Sequence, residues 1–351
     1  MPAVDEITIR GFKSIKALEG LKLNPINVLV GANGSGKSNF IEVFSLLRDV
    51  ARDRIHEFVA RSGGADRILH FGSRTTDQLE VTIIFDDGEA YELVLTGTTG
   101  DSFSRRSVTG RSALSNMTGR PAYDDESTSG DVRITDPWVP YHFHDTGRAS
   151  PMKRLGDLYD NRALRTDGSN LAAFLFLLQS IHPESYRTIR RTVQMVAPFF
   201  DDFDLAPQAL NPEKIILEWR HKGSDSYFNA AALSDGTLRF IALATVLLQP
   251  QRLKPSVFLL DEPELGLHPY AITLLASLVK QASIDSQVIM ATQSPILLDH
   301  FEPDDVIVSN RVHGEAIFER LDAERLAAWL EDYSMGELWE KNEIGGRPAR
   351  E

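Results

Sequence analysis

Residues 31–38 read GANGSGKS, with glycine at the first and sixth positions, lysine at the seventh and serine at the eighth. This octet constrains the fold more than any other feature. Glycines let backbone N–H groups wrap an anion without Cβ clashes. A helix starting at the loop points its positive end at the same anion. Lys37 is placed to reach the β- and γ-phosphates of a nucleoside triphosphate, and Ser38 to ligate Mg²⁺. The flanks agree. INVLV (26–30) is a short, β-branched apolar run, as a buried strand should be. The stretch 38–52 has the spacing of an amphipathic helix. Asn33, Gly34, Ser35, Gly36, Lys37, Ser38 and Asn39 are therefore the candidate nucleotide contacts, with Lys37 also a candidate catalytic group.

The rest of the chain alternates in the same way. Strands are expected near 7–12, over 138–143 and 215–219, with a hairpin at 81–95 turning on Asp86-Asp87-Gly88. Helices are expected over 171–196, broken near His182-Pro183, and over 238–248, 271–282 and from 323 to about 333. Buried strands are expected at 257–260, 288–291 and 305–309. Such alternation indicates an α/β fold with a partly parallel sheet. Residues 97–135 are rich in Ser, Thr, Gly and Arg and read as a mobile or partly ordered insertion. Gly345-Gly346-Arg347-Pro348 reads as a loose end. No sustained heptad run is present, so no long coiled coil is expected.

Composition excludes several chemistries. The 351 residues contain no cysteine, which removes disulfides, cysteine zinc sites and thiol catalysis. No signal peptide and no membrane-spanning run is visible, so a cytoplasmic location and no membrane partner are expected. Acidic residues outnumber basic ones, 50 to 37, for a net charge of −13. That balance argues against general polyanion binding and leaves room for a local basic groove. Arg187, Arg190 and Arg191 on one helix read as a solvated face, or as a contact for nucleic acid or a partner. Arg105, Arg106, Arg111 and Arg120 offer a second basic surface, diluted by Asp124, Asp125 and Glu126.

A second constellation lies in the last third. VFLLDE (257–262) is an apolar strand ending in two carboxylates, and such strand ends deliver side chains to the sheet edge where α/β ligands sit. Asp261 is the candidate Mg²⁺ ligand, with Ser38. Glu262 is the candidate group that polarises an attacking water. LSDGT (233–237) opens a helix capped by Ser234, with Gly236 keeping the backbone open.

The order of phosphate loop, LSDGT and hhhhDE-Pro resembles the ATP-binding-cassette ATPases, whose signature is LSGGQ. DEPELGLHP (261–269), ATQSP (291–295) and the opening ITIRGFKSIKALEGLKLNPINVLVGANGSGKSN resemble their RecF-, SMC- and OLD-like branch. YHFHDTG (141–147), DGSNLAAFL (167–175) and WLEDYSMGELWEKNEIGG (329–346) are similar to stand-alone AAA-type members of that branch, often encoded beside a nuclease-like gene. The resemblance implies an ATPase head with a mixed sheet flanked by helices, an inserted β/α lobe, and ATP and Mg²⁺ as ligands. It divides the chain into a core segment 1–72, a lobe 73–230 and a second core segment 231–351. It also implies that Ser234 and Gly236 contact the γ-phosphate bound to a second copy.

Departures from the pattern are specific. Gln293 stands where the family carries a switch histidine, and it can hydrogen-bond a phosphate or water without becoming cationic. His268 stands where transporter ATPases carry Asp. His142, His144 and Asp145 occupy the place between the lobes where a Mg²⁺-sensing residue is expected. They serve there as a sensor or as a polar strand end with structural hydrogen bonds. The expected function is an ATPase whose ATP-dependent homodimer, or higher oligomer, controls a separate effector, such as a nuclease, in defence against phage or plasmid. The alternatives are a RecF-like repair ATPase holding duplex DNA in its dimer groove, and a non-hydrolytic ATP-gated scaffold.

Overall fold

The computed structural model describes residues 3–98, 100–109 and 138–346. These divide into two compact units. The first holds the described residues up to Pro140, together with Pro255–Asp261 and those from Ser286 onward; the second holds Tyr141–Lys254 and Glu262–Asp285.

The first unit is built on two sheets. One has six strands in the order Glu315–Arg320, Val306–Val312, Ile26–Val30, Gln287–Thr292, Val257–Asp261, Trp138–Tyr141. Its four central strands run parallel, and Glu315–Arg320 runs antiparallel at the edge. All five residues of Ile26–Val30 and all six of Gln287–Thr292 are buried. Covered on both faces, such strands read as continuous apolar runs. The other sheet is antiparallel, in the order Ile15–Lys22, Val4–Phe12, Gln78–Phe85, Ala90–Gly97, Phe103–Thr109. Gln78–Phe85 alternates buried and half-buried side chains along its length, the period-two pattern of a sheet with one face on a core.

Helix Lys37–Ala51 supplies Phe40, Ile41, Phe44 and Leu47 to one apolar cluster that also takes Ile7, Ile9, Val81 and Leu93 from the antiparallel sheet and Leu259 and Ile289 from the mixed sheet. The loop before the helix is thus fixed by core packing on both sides. Buried Gln287 joins the two sheets: its amide donates to Val4 O (2.8 Å) and accepts from Val4 N (3.2 Å).

The second unit is mainly helical. Leu171–Ile181 and Pro183–Val196 form a helical hairpin, Pro183–Val196 packs on Asp235–Leu248, and Asp235–Leu248 packs on Pro269–Ala282. Every residue of Asp235–Leu248 from Leu238 on is buried. A three-stranded antiparallel sheet, Tyr227–Asn229, Glu218–His221 and Phe200–Asp204, completes this unit with the two-stranded ladder Gly156–Asp157 and Lys214–Ile215.

Several elements differ from the sequence pattern. The run 215–219 is divided between the last two sheets. Strand Trp138–Tyr141 stops before His142. Within 97–135, Phe103–Thr109 is a strand paired with Ala90–Gly97; residues 110–135, with Arg111, Arg120, Asp124, Asp125 and Glu126, lie outside the described residues. Gly345 and Gly346 are not a loose end, because Gly346 N donates to Asn310 Oδ1 at 2.8 Å; Arg347 and Pro348 lie outside the described residues. A helix the sequence pattern did not announce, Met335–Lys341, precedes them, opened by a Ser334–Glu337 capping box.

Candidate functional site

The phosphate loop leaves strand Ile26–Val30 at Gly31. Gly31, Gly34 and Gly36 all have positive φ, at 154°, 77° and 113°. A Cβ on Gly31 would strike Ser309 O, and one on Gly36 would strike the Ala316 side chain. The loop is therefore shaped against strands Val306–Val312 and Glu315–Arg320 of the same unit. Ser309 Oγ donates to Ser35 O at 2.8 Å. Lys37 is buried, and its ammonium donates to Gly31 O (2.7 Å) and Ala32 O (2.9 Å), lying across the loop. Asn33, Gly34 and Ser38 are exposed at its mouth. No side chain caps the helix at Gly36, so the first-turn N–H groups face outward from the helix end. Glycine curvature, an uncapped helix start and a buried lysine together fit a triphosphate. Asn39 turns elsewhere: its Nδ2 donates to Ser14 Oγ at 2.7 Å.

The parallel register decides which residues share this edge. Asp261 pairs with Ala291, and Ala291 with Leu29. Thr292 pairs with Val30, one residue before the loop. Asp261, Gln293 and Gly31 thus leave three adjacent strands at the same end, the end where α/β sheets bind ligands. Gln293 is half-buried there, and Ser294 caps the short helix Pro295–Leu298. Glu262, the residue after Asp261, has φ 44°. A non-glycine residue in the left-handed region costs about 1–3 kcal/mol and clusters at functional positions. Ser38 and Asp261 have the oxygen chemistry to hold Mg²⁺.

In the second unit, Ser234 Oγ caps helix Asp235–Leu248 by accepting from Thr237 N at 3.1 Å. Gly236 has no room for a side chain, since a Cβ there would strike Gly266 O in the loop after Glu262. Arg239, buried on this helix, donates through Nε to Phe143 O and through Nη2 to His144 O, both at 2.9 Å. Burial pulls its guanidinium below the usual arginine value, against the opposing pull of Asp235 and Glu264. Sequence reading passes over Arg239, although an arginine on an otherwise apolar helix is a detectable signal.

The segment after strand Trp138–Tyr141 is held by its backbone. His142 and His144 are exposed, their rings stacked at 6.2 Å, and Phe143 between them is buried. Among the described residues no group of three His, Cys, Asp or Glu is arranged to hold a metal ion. His268 caps helix Pro269–Ala282 from its side chain. Arg187 pairs with Glu184, and Arg190 with Asp201 and Asp202, while Arg191 is exposed.

The family model described as "AAA domain, putative AbiEii toxin, Type IV TA system" matches residues 26–135 and 145–299, more than half of the chain. The chain belongs to this family. As a member it carries the family's ATP-binding core, with ATP, and typically Mg²⁺, as the expected ligands. Two curated relatives share shorter stretches. "Urease accessory protein 2" of Cryptococcus neoformans var. grubii is 38% identical over 109 residues, covering 28% of this chain and 8% of that protein. "DNA double-strand break repair Rad50 ATPase" of Saccharolobus solfataricus is 32% identical over 80 residues, 22% of this chain and 9% of that protein. The chain thus spans less than a tenth of either relative. A solved SMC head, crystallised with the C-winged helix domain of ScpA, superposes with a TM-score of 0.62 at 18% identity, covering 93% of this chain and all of that one. The fold is an ATP-binding-cassette ATPase head of the RecF, SMC and Rad50 type: α/β, with a mixed sheet flanked by helices. The longest described helix has only 15 residues, so no long coiled-coil helix occurs among the described residues. None of the described helices is long and apolar enough to cross a membrane.

Proposed function

We propose that this chain hydrolyses ATP, that two copies close on two nucleotides, and that closure controls a separate effector. The observation that carries the reading is the shared sheet edge. Gly31, Asp261 and Gln293 leave adjacent parallel strands in one register, and the residue after Asp261 is a glutamate in the left-handed region. In this reading Lys37 and the loop amides 33–39 hold the triphosphate, Ser38 and Asp261 hold Mg²⁺, and Glu262 polarises the attacking water while Gln293 orients it. The charge on Mg²⁺ would offset that developing on the phosphate oxygens. Ser234 and Gly236 act on the nucleotide of the other copy, because one chain carries one loop and one signature.

The effector reading is supported by the family description, which names a toxin and a toxin–antitoxin system. We read the effector as a separate, nuclease-like protein acting in defence. Its test is co-purification of the neighbouring gene's product and growth arrest that depends on Lys37. For the site itself, Lys37→Ala is expected to lose ATP binding. Glu262→Gln is expected to bind ATP and associate while turnover falls at least about a hundredfold, the scale of a lost general base. Unchanged turnover in Glu262→Gln would remove that residue from the mechanism. A second reading, duplex DNA held by the dimer, draws on the repair ATPase among the relatives and on exposed Arg187 and Arg191. A steep loss of ATP-dependent DNA binding with salt supports it.

A further inference from the structure

The start of helix Asp235–Leu248 carries an acid where an anion is expected to dock. Asp235 is the first residue of the helix, and its side chain is 67% exposed. A carboxylate there suits the helix dipole. The same charge repels any phosphate brought to Ser234 and Gly236. Two like charges at such close range repel weakly in water and several times more strongly when solvent is squeezed out.

The structure supplies a counter-charge. Lys153 comes from the segment that begins at Pro151, and its side chain is only 8% exposed. Its ammonium donates to Thr146 O at 2.6 Å and lies 3.4 Å from Asp235 Oδ1. The stem that carries it is fixed locally: Ser150 Oγ donates to Asp145 O at 2.6 Å and caps the turn by accepting from Met152 N at 3.3 Å. The segment is tied to the same helix again by Arg239, at Phe143 O and His144 O. A long, flexible, strongly hydrated cation is seldom buried unless paired. Here it is buried beside the one acidic group of the helix start.

We propose that Lys153 is a positioning residue that neutralises Asp235 and so lets an acid-bearing signature accept the triphosphate end of a nucleotide held by a second copy. The proposal rests on the two-copy reading above and adds to it a residue and an electrostatic condition. Lys153 stays anchored on Thr146 O and acts through Asp235. With the pair intact the helix start presents its N–H groups without a net opposing charge. With the lysine removed, Asp235 stands unscreened at the seat.

The test is a double-mutant cycle on the ATP-driven association of Glu262→Gln, read as particle mass by sedimentation with ATP and Mg²⁺. Lys153→Met is expected to weaken association by roughly tenfold, which is about 1.4 kcal/mol. Asp235→Asn in the same chain is expected to restore most of that loss. Lys153→Arg, which keeps the charge, is expected to associate nearly as well as the parent. Equal association with and without the lysine charge overturns the proposal. So does a loss that Asp235→Asn fails to relieve, since that assigns Lys153 only to holding Thr146. If Lys153→Met does not fold, Asp235→Asn alone decides: stronger association supports the pair, and equal or weaker association overturns it. Failure of Glu262→Gln itself to associate with ATP removes the two-copy reading, and this proposal with it, before any lysine variant is measured.

Discussion

At the scale of single residues, the phosphate loop separates two kinds of glycine requirement. Gly34 has φ 77°, and a Cβ there would meet nothing nearer than Arg311 Nη1 at 3.7 Å. Gly36 has φ 113° and would drive its Cβ into Ala316, with Ser14 Oγ at 3.1 Å. Alanine at 34 therefore carries only the left-handed strain, about 1–2 kcal/mol. Alanine at 36 adds overpacking of about 1–3 kcal/mol. Gly36→Ala is expected to lower the unfolding midpoint clearly more than Gly34→Ala, and to abolish nucleotide binding because relief requires the loop to move off strand Glu315–Arg320. Equal unfolding midpoints for the two variants would show that Ala316 yields freely. The sequence made the loop legible because every fixed position of GxxxxGK[ST] has a backbone or charge reason that is local. It did not make Ser309 or Ala316 legible, because their contacts with the loop arise from strand register some 270 residues later in the chain.

At the scale of elements, the C-terminal helix Met335–Lys341 shows what periodicity leaves out. The helix is short, with seven residues, and its buried apolar side chains, Met335 and Leu338, are too few to announce it. Its place is set by Gly336, whose N–H donates to Asp299 Oδ1 at 2.6 Å. A Cβ there would lie 2.6 Å from Pro295 O and 2.8 Å from Asp299 Oδ1. The partner is helix Pro295–Leu298, which begins two residues after Gln293. The chain then returns to the phosphate loop, where a Cβ on Gly346 would lie 3.2 Å from Gly31 Cα. Buried strands such as Ile26–Val30 and Val257–Asp261 were legible from apolar runs and the motifs at their ends, but this closing strap depends on backbone approach, which leaves only scattered glycines in the sequence. Gly336→Ala weighs two effects of opposite sign. Alanine favours a helix over glycine by about 1 kcal/mol, and the clash with a backbone carbonyl costs about 1–3 kcal/mol. Net destabilisation is expected in denaturant titration, together with slower ATP turnover through displacement of the strand end that carries Gln293. A variant more stable than the parent would mean that the two helices separate without cost.

At the scale of the whole molecule, the net charge of −13 becomes a term in assembly. Two copies that close on ATP bring like charges together, and each bound nucleotide adds more. Screening shortens the reach of this repulsion from about 30 Å at 0.01 M salt to about 10 Å at 0.1 M. Association of Glu262→Gln with ATP is therefore expected to strengthen as salt rises over that range. In the proposal above, Lys153 acts within this field at one point, the helix start, by offsetting the single charge of Asp235. A DNA complex must behave in the opposite way, because each phosphate contact releases counterions and log K falls with log salt by about 0.9 per contact. One salt series, read both for particle mass and for retention of a labelled duplex, thus separates the two uses of the head. Mass rising while duplex retention is absent throughout removes the duplex-DNA reading. Duplex retention at low salt, lost steeply as mass rises, places a local basic surface such as that of Arg187 and Arg191 on the nucleic acid despite the acidic whole.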